Sequence, residues 1–186
     1  MSGKYKKQWN DYFEGGLAMW SHYGFKYHSN LIAKHIIPRL NIPGNGPIVQ
    51  VGTGLGIAVE TLCNIFGSHR VVGYDLFNPL KHPNIKFLDT TKSVPTDKHM
   101  AFLEIDVGSM SDARKNREQL LRWAMGNTAH DGCILTNRAL VKELQENGRN
   151  NFEVIELNSF DIGELWENVY ESRLNTKVIL RMKRDY

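Results

Sequence analysis

The stretch "IVQVGTGLGI", residues 48–57, sets an apolar run directly against three glycines at alternate positions, Gly52, Gly54 and Gly56. Ile48 to Val51 reads as a short buried strand, and the apolar residues at 58, 62, 65 and 66 fit one face of the helix that follows, with Gly67 as its stop. Strand, glycine turn and helix make one βα unit. Glycines at such a turn serve either the corner itself or the close approach of a ligand to backbone at a helix N-terminus. The loop alone leaves both readings open.

Outward from this unit the chain alternates. Residues 70–76, "RVVGYDL", read as a second strand in which Asp75 stands 19 positions after Gly56. A carboxylate there can accept hydrogen bonds from both hydroxyls of a ribose. Residues 85–88 and 100–107 supply a third and a fourth strand. Ser111 can cap a helix running to about Met125, with Ala113, Leu120, Leu121 and Ala124 on its buried side. Residues 132–136 form a fifth strand, 138–146 a helix, 152–157 a sixth strand, 162–170 a further helical stretch and 177–182 the final strand. This order predicts an α/β fold, an open and largely parallel sheet with helices on both faces. Ahead of it, residues 1–46 form an N-terminal helical cap whose pattern Leu31, Ile32, His35, Ile36 is stopped by Pro38. Residues 47–186 are the core of what is read as a single domain.

Composition supports one domain, since 186 residues with 41% hydrophobic content fill one core and not two. No apolar run approaches the ~20 residues of a membrane span. The basic, polar start of the chain lacks the apolar stretch of a signal peptide. Cys63 and Cys133 fall in a helix and a central strand, which predicts buried free thiols in a reducing compartment, the cytoplasm. A net charge of +3 permits nucleic-acid binding without indicating it.

Two phosphate-binding patterns fail against the loop. A dinucleotide fingerprint read from Gly52 meets Ile57 at its third position, where a β-branched side chain obstructs close helix–strand packing. A triphosphate loop needs a Gly-Lys-Ser/Thr sequence, and none follows.

The same residues resemble motif I of the Rossmann-like (class I) S-adenosylmethionine-dependent methyltransferases, with Gly52, Gly54 and Gly56 in the G-x-G-x-G pattern and Gln50 where the family often has Glu or Asp. "VVGYDL" is similar to the second motif, and the likeness continues in order to about residue 184. It implies a seven-stranded sheet with an antiparallel last strand, and S-adenosylmethionine as cofactor. It also implies a cofactor site of Gln50, Gly52, Thr53, Gly54, Gly56, Asp75, Leu76 and Asp106, with Asp75 on the ribose. By the same likeness Asp89 lies near the adenine; a surface-loop carboxylate is the other reading of it. The chemistry agrees, because this cofactor has no phosphate and asks for close backbone approach plus an acidic acceptor, without a lysine.

Methyl transfer from a sulfonium draws mainly on alignment, with a base or a metal as optional help for a hydroxyl nucleophile. Glu104 and Asp106 share one side of the fourth strand, and Asp106, nearer its carboxyl end, is the catalytic candidate, with helix capping as the alternative. Metal-dependent relatives carry an Asp-Asn pair where this chain has Thr136-Asn137. That loss of a carboxylate argues against a divalent ion; if one binds, Asp106 and Asn137 are its ligands. In the aromatic N-terminus, Trp20, His22, Tyr23, Tyr27 and His28 can form a lid, with His28 or His22 as a base; core packing and a homodimer contact are the alternatives. Arg114, Lys115, Arg122, Arg181, Lys183 and Arg184 could meet RNA, although a solvated helix face is the commoner meaning of such charges. The expected function is methyl transfer to an oxygen or nitrogen of a small molecule. An RNA or protein acceptor, and a non-catalytic binding protein, are the alternatives.

Overall fold

The computed structural model describes residues 32–54, 56–76, 78, 80–105, 111–146, 148–161 and 177–183. Among them the seven strands are β1 (Ile48–Val51), β2 (Val71–Asp75), β3 (Ile85–Phe87), β4 (Met100–Ile105), β5 (Thr128–Asn137), β6 (Phe152–Glu156) and β7 (Lys177–Met182). The three α-helices among them are α1 (Ile57–Phe66), α2 (Ser111–Asn127) and α3 (Arg138–Glu146). The strands form one sheet in the order β3-β2-β1-β4-β5-β7-β6. β7 is inserted antiparallel between β5 and β6, and the pairs from β3 through β5 are parallel. The expected sheet and its antiparallel last strand are therefore present.

The central strands are apolar throughout because they are buried on both faces. β1 and β4 are buried along their whole length, as parallel strands covered by helices on each side must be. On one face Ile48, Phe102, Cys133, Leu135 and Ile179 pack with Val59 and Leu62 of α1 and with Ile32, Ile36, Ile37 and Leu40. On the other, Val49, Val51, Leu103, Ile134 and Val178 pack with Leu120, Leu121 and Ala124 of α2 and Val141 and Leu144 of α3.

Several boundaries differ from the sequence reading. Pro38 does not stop the N-terminal helical segment: a π-helical turn, Ile32–Ile36, passes into a 3₁₀ turn, Ile37–Leu40, with the proline in its first turn. A missing N–H is tolerated at that position. In α1 the buried side consists of Ala58, Val59 and Leu62, and Ile65 is 40% exposed, so the apolar face is turned toward Val59. β5 begins at Thr128, directly after α2, and its pairing with β4 jumps between Met100 and Phe102. β6 ends at Glu156 because Leu157 opens a 3₁₀ turn. The expected helix over 162–170 lies outside the described residues.

Both cysteines are free thiols, Cys133 buried and Cys63 partly so, and burial raises the pKa of each. No helix among the described residues is long and apolar enough to cross a membrane.

Candidate cofactor and active site

Strand order reverses between β1 and β4: from β1 the chain moves outward to β2 and β3, then returns to β4 and continues the other way. In an open parallel sheet ligands bind beyond the carboxyl ends of the strands at this switch point. The glycine loop leaves β1 there. Gly52, Gly54 and Gly56 all have positive φ, 88°, 55° and 81°, a backbone conformation that glycine adopts without strain. Gly52 N–H bonds Tyr74 C=O at 2.8 Å, and Gly56 N–H closes a turn onto Thr53 C=O at 2.9 Å.

Close packing sets where the loop lies. A Cβ on Gly56 would stand 2.6 Å from Ile85 Cδ1. A Cβ on Gly73, in the middle of β2, would stand 2.7 Å from Thr53 Cγ2 and 2.8 Å from Val59 Cγ2. The close packing for which the dinucleotide pattern needs a glycine at position 57 is thus supplied elsewhere, by Gly56 at the N-cap of α1 and Gly73 on the neighbouring strand. Gly73 is a site-shaping residue that sequence reasoning passed over; a lone glycine inside an apolar strand was the available signal.

Asp75 closes the loop from β2. Its Oδ2 accepts from Gly54 N–H at 2.8 Å and from the Thr53 hydroxyl at 3.4 Å. Thr53 is buried, Leu76 is half-buried beside Asp75, and Gly54 is exposed, with no atom of the described residues within 4 Å of where its Cβ would be. An ionised carboxylate has about four acceptor positions, so bonds to the loop and to a ribose are compatible at Asp75.

Under the loop the floor is polar. Gln50 and Glu104 are register partners across the switch point, and Gln50 Nε2 donates to Glu104 Oε2 at 3.1 Å. From the rim of β7, Lys177 Nζ reaches Glu104 Oε1 at 3.4 Å. Gln50 Oε1 is buried without a hydrogen-bond partner among the described residues. Glu104 entered the sequence reading only as the strand-mate of Asp106, and Lys177 only as the start of a strand. The signal was a carboxylate inside an otherwise apolar strand, since a buried carboxylate calls for a cation.

Asp89 is buried in its own loop: its carboxylate accepts from Thr91 N–H at 3.0 Å and Thr91 Oγ1 at 2.6 Å and pairs with Lys92 at 3.0 Å. Burial works against its charge, yet the bonds from Thr91 and Lys92 prevail and hold its pKa below the ordinary value. Asn137 Oδ1 accepts from Ala139 N–H at 2.9 Å, an N-cap on α3. Thr136 is buried toward the α2 and α3 side, opposite to Gln50, with no partner for its hydroxyl among the described residues. Among the described residues no cluster of three His, Cys, Asp or Glu is placed to hold a metal ion. Arg181, expected in a basic strip, instead donates to Leu40 C=O at 2.6 Å from within the sheet. Asp106, His28 and His22 lie outside the described residues, as do the aromatics of the expected lid or homodimer contact.

By sequence the chain matches no protein-family model and no curated protein. By structure it is similar to many solved proteins. A tRNA methyltransferase from Aquifex aeolicus is 15% identical with a TM-score of 0.51, the match covering 86% of this chain and 69% of that one. A TehB-like S-adenosylmethionine-dependent methyltransferase from Corynebacterium glutamicum is 17% identical with a TM-score of 0.50, covering 90% and 99%. An S-adenosylmethionine-dependent O-methyltransferase from Thermotoga maritima is 15% identical with a TM-score of 0.51, covering 86% and 65%. The sheet order, the inserted antiparallel β7 and these neighbours agree: the chain has the Rossmann-like fold of the class I S-adenosylmethionine-dependent methyltransferases.

Proposed function

We propose that the chain transfers the methyl group of S-adenosylmethionine to an oxygen or nitrogen of a small molecule. The observation that carries this reading is the glycine loop itself, held over the switch point by the Asp75 carboxylate with space above Gly54 that none of the described residues fills. The residues present fit the cofactor. Gly52 to Gly56 offer backbone approach, Asp75 an acidic acceptor for the ribose, and Gln50 Oε1 a buried acceptor with no partner among the described residues. When bound, S-adenosylmethionine supplies an electrophilic methyl group on a sulfonium leaving group. The protein's part is to orient: Asp75 and the loop fix one end of the ligand, and Asp106, two residues after Glu104 in the sequence, is the proposed proton acceptor for the nucleophile, with His28 as the second candidate. Leu76 and Asp89 complete the proposed cofactor site.

A small acceptor is favoured over RNA because Arg181 is committed to the Leu40 carbonyl, which removes one cation from the basic strip. The tRNA-modifying neighbour keeps RNA as the second reading, and a steep fall of RNA affinity with salt would be its mark. A cytoplasmic setting is part of the proposal and is supported by the two free thiols.

Calorimetry with S-adenosylmethionine and S-adenosylhomocysteine tests the reading. Binding of both at micromolar concentrations is expected. Absence of heat up to about a millimolar, where even a weak site would contribute ~4 kcal/mol, overturns it.

A further inference from the structure

On one side the sheet ends at β3, a three-residue strand paired with β2 alone. A parallel ladder turns alternate residues of a strand toward its neighbour. Here the pairing engages Asn84 C=O through Gly73 N–H and Leu88 N–H through Asp75 C=O, which leaves the backbone groups of Ile85 and Phe87 pointing away from the sheet. Those of Ile85 are met locally: its N–H bonds His82 C=O at 3.1 Å, and its C=O accepts from Asn78 Nδ2 at 3.3 Å. Beyond the strand, Asp89 C=O is taken by the N–H groups of Lys92 and Ser93. Phe87 N–H and C=O have no such partner among the described residues, and the Phe87 side chain is 72% exposed. The edge is guarded on either side of one open residue.

The surface around that residue is cationic. Between residues 78 and 96 stand the exposed Lys81, Lys86 and Lys92, with Leu80 67% exposed beside them in the chain. The single carboxylate of that span, Asp89, is buried and bound to Thr91 and Lys92. Glu60, which reaches the span from α1, is bonded to His82. An open strand edge is a template for a further strand, but two copies meeting β3 to β3 would bring like charges together. An acidic strand meets no such repulsion.

We propose that the β3 edge at Phe87 docks an extended, acidic and apolar segment of a partner protein, added as a strand beside β3. The segment's backbone pairs with Phe87 N–H and C=O, its apolar side chains cover Phe87, and its carboxylates meet Lys81 and Lys86. Charge complementarity selects this occupant. A nucleic acid would also meet the lysines, but it has no amide and carbonyl in register to pair with those of Phe87. The site lies one strand beyond Asp75 and stands independently of the cofactor reading.

The test uses the full chain and, as probe, a synthetic heptapeptide of alternating glutamate and valine, with lysine–valine and glutamate–glycine heptapeptides as controls. Fluorescence anisotropy at low salt should show saturable binding of the probe below about a millimolar, with both controls at least about tenfold weaker. Amide hydrogen exchange at Phe87 should slow in the bound state, while exchange at Ile85, already bonded, stays the same. Phe87→Ser should weaken binding at least about tenfold, and Lys86→Glu should weaken it severalfold, both positions being exposed and tolerant of change. No saturable binding, unchanged exchange at Phe87, or equal binding of the lysine–valine peptide overturns the proposal. So does an oligouridylate that displaces the probe and loses affinity in Phe87→Ser, which would make the patch a nucleic-acid surface. Self-association of the wild type that Phe87→Ser abolishes also overturns it, since the occupant would then be a second copy.

Discussion

In the proposed function Asp75 has two jobs for one carboxylate, and a pair of substitutions separates them. Its Oδ2 holds Gly54 N–H and the Thr53 hydroxyl, so it shapes the loop even before a ligand arrives. Asp75→Ala removes both that hold and the ribose acceptor; the expected result is about 1 kcal/mol of lost stability and at least tenfold weaker S-adenosylmethionine binding. Asp75→Asn keeps an acceptor for Gly54 and should recover most of the stability. Unchanged cofactor affinity in folded Asp75→Ala would remove the residue from the ribose role. Gly54 gives a complementary case. A methyl group there meets no atom of the described residues within 4 Å, but the backbone sits at φ 55°, so Gly54→Ala should cost ~1–2 kcal/mol in denaturant unfolding. The added methyl stands in the open space proposed for the cofactor, so affinity should fall further than stability does. Asp89 carries the pH dependence. Its carboxyl titrates below its ordinary value of 3.8, so the stabilisation it contributes is complete above that value and is lost as pH falls through the depressed folded pKa. Urea midpoints compared at about pH 3 and pH 7 should differ less for Asp89→Asn than for the wild type, all other carboxylates being common to both.

At the scale of elements, packing across the sheet decides what the sequence alone leaves open. The added Cβ of Gly73→Ala would crowd Thr53, Val59 and, at 3.1 Å, Ile85 Cγ1, all short branched side chains with little room to move. Overpacking of this kind costs about 1–3 kcal/mol and here pushes on the loop as well, so a lower urea midpoint and weaker cofactor binding should appear together. A variant that loses stability with full affinity would show that the loop is not seated through Gly73. The apolar runs "IVQV", "MAFLEI" and "KVILRM" are legible as strands because length and branched residues settle a short buried segment. Arg138–Glu146 is legible as a helix, whereas the cap that Asn137 places on it is seen only in the structure. The choice of Val59 over Ile65 for the buried face of α1 is not legible, since it depends on how the helix is rolled against β2 and β3. The jump in pairing between β4 and β5 is equally hidden: it depends on the partner strand, which no periodicity within one segment records. The same holds for the site, where the glycine loop and Asp75 are near in sequence, and Lys177 comes to Glu104 only through the antiparallel insertion of β7.

The whole molecule joins these parts by topology. One switch point, between β1 and β4, places the glycine loop, the Asp75 end of β2 and the Gln50–Glu104–Lys177 floor at the same end of the sheet. The helical layers close both faces beneath it, so ligand binding at that end is linked to the stability of the sheet and its helices. At a ligand concentration 100 times the dissociation constant, linkage adds ~2.7 kcal/mol to the folded state. For a chain of this length each kcal/mol raises the melting temperature by roughly 2–4 °C, so saturating S-adenosylmethionine should raise it by about 5–10 °C. NAD and ATP at equal concentration should leave it in place, because the loop lacks the third glycine of the dinucleotide pattern and the lysine of a triphosphate loop. A scanning-calorimetry series over the three ligands therefore separates the readings of the loop in a single measurement. A shift with NAD or ATP and none with S-adenosylmethionine would mean that the glycine turn cradles phosphate after all, and that Asp75 serves a different ribose.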